Sequence, residues 1–165
     1  MSLPDRRRVL ALILALPLAG CGFAPVYAPG APAGALVGRI EADAPNSRDS
    51  FMFVTEFETR MGRPEAPAYR LTYQIAIQRN DLAVTTAGAI LRYNLTGQIT
   101  WALIDIGTGA TLTSGTVSSF TGSAATTSTV AARTADDNAR RRLMQILATQ
   151  IATKITATAG DWGAP

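Results

Sequence analysis

The chain has 165 residues, 47% of them hydrophobic, which is enough apolar surface for the buried core of one ordinary domain. The formal net charge of +3 falls to about +1 without residues 1–20, which contain three arginines and one aspartate, so the composition excludes a strongly basic nucleic-acid binder. Histidine is absent and cysteine occurs once, which excludes Cys/His zinc clusters and any disulfide within the chain.

Residues 1–20 have the layout of a secretory signal peptide. Three arginines, Arg6 to Arg8, precede an apolar run that starts at Val9 and ends in the small residues Ala19 and Gly20. The run is shorter than the roughly 20 apolar residues that cross a bilayer, so a transmembrane anchor is the weaker alternative.

The only cysteine, Cys21, directly follows this segment. The stretch Leu18-Ala19-Gly20-Cys21 resembles the bacterial lipobox, in which diacylglycerol is joined to the thiol, cleavage occurs before the cysteine and the new N-terminus is acylated, for example with palmitate. The alternative is a chance thiol near an ordinary cleavage site. Because one acyl chain alone holds a protein only marginally, several chains on Cys21 predict a firm anchor. Gly22 favours the outer membrane, by resemblance to lipoprotein sorting in enteric bacteria.

The mature chain begins with a segment rich in proline, glycine and alanine, residues 21–36, which predicts a flexible tether to the lipid. A short strand is predicted over 37–44. Asn46 can cap the helix that follows over about 47–61, and Gly62 ends this helix. One face of the helix is apolar: Phe53, Val54, Phe57 and Met61.

Three segments with period-two alternation predict strands. The first covers 69–78 and ends at a turn signal, Arg79-Asn80-Asp81. The second, 91–103, alternates most regularly, and a turn at 105–110 separates it from the third strand at 111–121.

A polar loop at 122–129 leads into a long final helix at about 128–157, in which apolar residues recur at three- and four-residue steps. The alanine-rich first half, which includes Val130, predicts close approach to the sheet, and the bulkier second half predicts deeper core packing. The triplet Arg140-Arg141-Arg142 interrupts the apolar stripe and is predicted to lie partly along the helix and the sheet edge.

These elements predict an α/β two-layer sandwich, in which a four-stranded mixed sheet carries two helices on one face. The predicted domain covers 37–158, and a C-terminal tail follows at 159–165. The other face of the sheet is predicted to carry polar residues of the second alternating strand: Arg92, Asn94, Thr96, Gln98 and Thr100.

The residue inventory argues against an enzyme. The absence of histidine removes the commonest general base, and no nucleophile elbow or phosphate-binding glycine motif stands between a strand and a helix. Gly107-Thr108-Gly109 is interpreted as part of a hairpin turn. The pair Asp136-Asp137 lies in the final helix, where neighbouring side chains diverge by about 100°, so it is interpreted as solvated charge and not as an acid–base pair.

The stretch Cys21-Gly22-Phe23-Ala24-Pro25-Val26-Tyr27 resembles the start of the LptE family of lipopolysaccharide-assembly lipoproteins. The resemblance continues through the short helix after a strand, the strand YRLTYQIAIQ, the hairpin ALIDIGTGATLTSG and the last helix with ADDNARRRLMQILATQIATKI. It implies two helices on a four-stranded sheet. It also implies a non-enzymatic outer-membrane lipoprotein on the periplasmic side that plugs an LptD-type β-barrel and assists insertion of lipopolysaccharide.

Arginine binds phosphate well, and lipopolysaccharide carries phosphates. Arg70, Arg79 and Arg92 are candidate contacts because they lie on or beside strands, and ordinary solvent-facing charge is the alternative. No catalytic residue, no metal ligand and no cofactor other than the covalent lipid on Cys21 is predicted. The alternative function is an auxiliary lipoprotein of another periplasmic lipid-transport system of the ABC type, and a periplasmic hydrolase has the least support.

Overall fold

The computed structural model describes residues 33–84, 90–125 and 128–162, so the predicted signal peptide and Cys21 lie outside the described residues. The elements are β1 (Ile40–Ala42), α1 (Arg48–Met61), β2 (Tyr69–Val84), β3 (Ile90–Asp105), β4 (Thr111–Ala124) and α2 (Thr129–Thr158). The sheet has the order β1-β2-β3-β4, with β1 parallel to β2 and the other pairs antiparallel. Both helices pack on one face of this mixed sheet, which confirms the predicted α/β sandwich.

The chain before β1 is folded back and is not an extended strand from residue 37. Gly34–Leu36 form a turn of 3-10 helix in which Leu36 is fully buried, although the predicted tether includes these residues. Gly38 then adopts a φ of +72°, and its N–H donates to the Met61 carbonyl at 2.6 Å. Because this left-handed residue turns the chain, the strand begins only at Ile40, and the predicted strand over 37–44 is too long.

Helix α1 is capped by Ser47 and not by the predicted Asn46. The Ser47 hydroxyl accepts from the Ser50 N–H at 3.1 Å, and the Ser50 hydroxyl accepts from the Ser47 N–H at 2.8 Å. This reciprocal pairing satisfies two N–H groups at the helix start, one more than a single side-chain cap would. The predicted apolar face is confirmed, because Phe53 and Phe57 are fully buried.

Strand β2 continues through the predicted turn at Arg79-Asn80-Asp81, which is therefore wrong. Each of the three residues pairs in register with β3, and Asn80 lies opposite Asn94. Arg79 and Asp81 form an ion pair at 3.1 Å on the helix side of the sheet, which compensates these charges without a turn. Similarly, β4 extends three residues into the predicted loop, because 122–124 pair with β3.

Helix α2 packs tightly on Gly97 in the middle of β3. A Cβ atom at Gly97 would lie 2.9 Å from Leu143 Cδ2 and 3.0 Å from Leu147 Cδ1. Helix α1 packs beside α2 over β2, where the rings of Phe53 and Tyr73 are 4.8 Å apart. The second half of α2 therefore supplies the predicted core packing.

The first turns of α2 do not approach the sheet first, contrary to the prediction from their small residues. Val130 is 76% exposed, and the buried stripe starts only at Ala139. The segment before Ala139 makes polar contacts instead. Asp136 accepts from the Tyr93 hydroxyl at 3.2 Å, and Asp137 pairs with Arg48 of α1 at 2.9 Å.

Candidate functional site

One face of the sheet is covered by the helices, and the opposite face carries no secondary-structure element among the described residues. We call this second surface the bare face. In-register pairing places the even-numbered residues of the three long strands on it, from Arg70 at one end to Arg92 at the other. Its side chains between these ends are small or polar except for Phe120 and, at the β-bulge beside Arg92, the exposed Leu82. The small or polar residues are Thr72, Gln74, Ala76, Gln78, Asn80, Asn94, Thr96, Gln98, Thr100, Ala102, Ser114, Thr116, Ser118 and Gly122.

The middle of the bare face is uncharged. No Asp, Glu, Lys or Arg lies between Arg70 and Arg92 on the strand positions just given. Hydroxyls and amides bridge neighbouring strands, with Thr100 and Thr116 hydroxyls 3.4 Å apart and the Asn80 amide donating to the Thr96 hydroxyl at 3.3 Å. This arrangement confirms the predicted polar face of β3 and extends it over β2 and β4.

Parts of both edges of the sheet are protected against pairing with another strand. At the β4 edge, Arg142 donates to the Gly122 carbonyl at 3.3 Å and Lys154 donates to the Thr116 carbonyl at 3.4 Å, both from α2. At the β2 edge, β1 covers the first residues, and a β-bulge interrupts the far end after Asp81. Charges and bulges are common means of blocking sheet edges, whereas residues 72–80 of β2 have no partner strand on this side among the described residues.

The three arginines predicted to contact phosphate are not brought together. Arg70 and Arg92 lie on the bare face, but Arg70 pairs with Ile104, twelve residues from Arg92 along β3, a separation of about 40 Å. Arg79 lies on the covered side, where its guanidinium stacks on the Tyr93 ring at 3.8 Å.

These arginines also differ in their ion pairs. Arg70 pairs with Asp43 at 3.0 Å and Arg79 pairs with Asp81. Arg92 is exposed, and no acidic side chain in the described part of the chain pairs with it. Of the three, Arg92 is therefore the guanidinium most available to an anion.

Arg140 forms a polar cluster that the sequence reasoning did not find. Its Nε donates to Asp136 at 2.7 Å and its Nη1 donates to Asp49 of α1 at 2.9 Å. The hydrogen bond from Arg140 to Asp136, followed by the charge of Asp49, raises the pKa of the Arg140 guanidinium although partial burial lowers it. The spacing of Asp136 and Arg140 at i and i+4 is the signal that could have predicted half of this cluster.

This cluster fixes the two helices to each other and to Tyr93. The described residues contain no group of three or more Cys, Asp or Glu placed to hold a metal ion. None of the helices in the described ranges is both long enough and apolar enough to span a membrane.

Several solved structures with a similar fold are described as lipoproteins. A putative lipoprotein from Caulobacter crescentus CB15 aligns with a TM-score of 0.67 at 21% identity, covering 78% of this chain and 98% of that one. The rare lipoprotein B from Shewanella oneidensis aligns at 0.57 and 11% identity, covering 74% and 96%, respectively. An uncharacterized lipoprotein B from Nitrosomonas europaea aligns at 0.54 and 14% identity, covering 74% and 83%. At such identities the likeness concerns the fold alone.

Comparison of sequences identifies the family of this chain more specifically than comparison of folds. No curated protein sequence matches the chain. The family model of LptE, described as lipopolysaccharide-assembly, matches residues 39–155, which span the sheet and almost all of α2. The chain therefore belongs to the LptE family of lipopolysaccharide-assembly lipoproteins, proteins of the cell envelope.

Proposed function

We propose that this protein is a lipid-anchored lipoprotein on the periplasmic side of the outer membrane. In this proposal it partners and plugs an LptD-type β-barrel and assists the insertion of lipopolysaccharide, without catalysing a reaction. The observation that carries the proposal is the bare face, a surface about 40 Å long without a charged side chain between its ends.

Such a face suits the inside of a large barrel. Barrel interiors are polar and can be filled by another protein element. Hydroxyl and amide side chains can exchange hydrogen bonds with a polar wall or with water, whereas an unpaired charge enclosed there would lose solvation.

The barrel partnership is tested by capture of the full-length protein from membranes extracted with mild detergent. We expect a large β-barrel protein in near one-to-one amount. Gln98→Glu places a charge in the middle of the bare face and should lower the recovered barrel severalfold, because the charge opposes enclosure. Gln145→Glu makes the same change at an exposed position of α2 and should leave recovery unchanged.

Two results would contradict the plug. One is equal recovery of the barrel with both variants, which would remove the bare face from the contact. The other is recovery of an inner-membrane transporter in place of the barrel, which would favour an auxiliary lipoprotein of an ABC-type lipid-transport system.

The proposed anchor is the acylated Cys21. One acyl chain gives marginal binding, so diacylglycerol together with an N-terminal acyl chain is needed for stable attachment. We expect Cys21→Ala to abolish incorporation of labelled fatty acid and to release the protein from the membrane fraction. Full labelling of that variant would contradict the assignment.

We further propose Arg92 as the first contact for lipopolysaccharide phosphates among the three predicted arginines. Arg70 and Arg79 would have to leave Asp43 and Asp81, whereas Arg92 has no such pair among the described residues. A planar guanidinium can bind a phosphate through two parallel hydrogen bonds.

A further inference from the structure

Phe120 is the aromatic side chain on the bare face. The residue is 64% exposed, and the sheet register places it directly opposite Thr96. Single exposed apolar residues are common, so exposure by itself decides nothing. The polar groups around this ring indicate what kind of ligand the exposed ring could bind.

Amide and hydroxyl groups surround the Phe120 ring. Asn94 and Gln98 are its diagonal neighbours on β3, and Ser118 is the next bare-face residue along β4. The amides of Asn94 and Gln98 make no hydrogen bond to another residue in the described ranges. Each amide therefore has two donors and an acceptor available to a ligand beside the ring.

A shallow depression continues the surface beyond Phe120 toward the end of the sheet. It has a volume of about 360 Å³, and its lining includes Leu82, Arg92, Asn94 and Gly122. A Cβ atom at Gly122 would lie 3.2 Å from Asn94 Oδ1, so glycine at this position leaves room beside the Asn94 amide.

Sugar rings have the chemistry that complements this surface. One side of a pyranose presents C–H groups that can cover an aromatic ring, and its rim presents hydroxyls that both donate and accept hydrogen bonds. The charge distribution also matches, because an uncharged region holds the ring and amides while the unpaired Arg92 lies at its end. A sugar chain with an anionic substituent near one end would satisfy both parts.

We propose that Phe120, Asn94, Thr96 and Gln98 bind the saccharide of a glycolipid, with the C–H side of one sugar ring on Phe120 and its hydroxyls on the two amides. We call these four residues the saccharide surface. The assignment of this saccharide to lipopolysaccharide rests on the proposed function. The saccharide surface itself is defined by residues of this chain and can be tested without a barrel.

The test uses the full mature protein in a polyoxyethylene detergent, which carries no sugar. The probe is an oligosaccharide released from bacterial lipopolysaccharide, free of lipid and dephosphorylated, titrated while side-chain amide NMR signals are recorded. Contacts on an open surface are few, so we expect a dissociation constant of about 1 mM. The amide signals of Asn94 and Gln98 should shift, and a parallel titration with the phosphorylated oligosaccharide should bind more tightly through Arg92.

Phe120→Ala should weaken binding of the dephosphorylated probe about fivefold or more, because the apolar platform is removed. Phe120→Tyr keeps the ring and should bind like the parent. Phe51→Ala is the matched control, since Phe51 is 63% exposed on α1, outside the bare face, and should leave the dissociation constant unchanged. Unchanged thermal unfolding of all three variants establishes that they are folded.

The outcomes separate this inference from the plug. Absence of amide shifts, or the same dissociation constant for Phe120→Ala and the parent, overturns the saccharide surface. Barrel capture by the same protein without oligosaccharide binding would leave the plug intact and remove only the saccharide surface. Oligosaccharide binding that depends on Phe120, without barrel capture, would support the saccharide surface and overturn the plug.

Discussion

The two faces of the sheet are built from the same strands and have opposite chemistry. Ile99 of β3 is fully buried beneath the helices, whereas the adjacent Gln98 is exposed on the bare face. Successive side chains of a strand point to opposite sides, so this change occurs within a single residue step. In each strand, alternate residues can therefore stabilise the fold while the residues between them are free to contact a partner.

The covered face supplies the apolar burial that holds the domain together. Leu95, Ile99 and Leu103 are fully inaccessible to solvent, and they meet Leu143 and Leu147 of α2 within one core cluster. The bare face contributes little apolar burial, so its residues can be exchanged with small effects on folding. Selection for a partner can therefore act on that face without disturbing the core.

The largest expected effect comes from truncating the covered face. Ile99→Ala should lower the free energy of unfolding by about 3 kcal/mol, because it removes buried methyl groups and leaves a cavity under α2. Gln98→Ala, one residue away on the bare face, should change it by less than about 0.5 kcal/mol. Denaturant titration of both variants, with equal slopes, measures the difference.

A loss of comparable size in Gln98→Ala would break the comparison between the faces. It would mean that the bare face contributes to the stability of the domain before any partner binds. Barrel capture by the same two variants provides a second comparison of the two faces, because Gln98 belongs to the proposed contact surface and Ile99 does not.

A smaller effect is expected at Gly97, where α2 packs tightly on the covered face. Gly97→Ala should destabilise the domain by about 1–3 kcal/mol, because the new Cβ would fall 2.9 Å from Leu143 Cδ2 and force repacking. Gly115→Ala, on the same face of β4, is the matched control. Its Cβ would lie 3.6 Å from Trp101, an ordinary contact, so we expect little loss or a gain of about 0.5 kcal/mol.

Equal destabilisation by the two alanine substitutions would contradict this explanation. It would indicate that the close approach of α2 at Gly97 costs no more than the ordinary contact at Gly115. Thermal unfolding of the two variants under identical conditions distinguishes these cases.

Much of this arrangement is predictable from the sequence, because alternation over 91–103 places residues on two faces without knowledge of the fold. The same parity places Arg79 with the apolar residues of β2 and Arg92 with the polar ones of β3. The turn predicted at 79–81 left Arg79 outside the strand and therefore assigned it to neither face. In the structure, pairing with β3 and the ion pair between Arg79 and Asp81 hold these polar residues in a strand.

Other features depend on partners that are distant in sequence. Arg140 reaches Asp49 across 91 positions, and no local spacing indicates such a contact. The choice of Ser47 over Asn46 as the helix cap depends on a reciprocal bond with Ser50, and both residues are good caps by type. Acylation of Cys21 stays a prediction from the sequence.

The separation of the faces also requires a fixed strand register, because a one-residue slip would carry Ile99 to the bare side. The turn between β3 and β4 contributes to this register. Asp105 accepts hydrogen bonds from the N–H and the hydroxyl of Thr108 at 2.7 and 2.9 Å. The bond from the Thr108 N–H, followed by that from its hydroxyl, lowers the pKa of the Asp105 carboxyl from the ordinary value of 3.8.

The smallest effect, and the finest test of the register, is the dependence of this turn on pH. Because the pKa of Asp105 is lower in the folded chain, the stability that its charge contributes is complete above pH 3.8 and is lost as pH falls through the lowered pKa. Asp105→Asn should therefore be less stable than the parent at neutral pH, and the difference should disappear in acid. NMR titration should place the pKa of Asp105 below 3.8, and Thr108→Ala should return it only partway, because the stronger backbone bond remains. A parent pKa at or above 3.8 would show that the carboxylate does not hold the turn, and the register would then depend on the packing of the covered face alone.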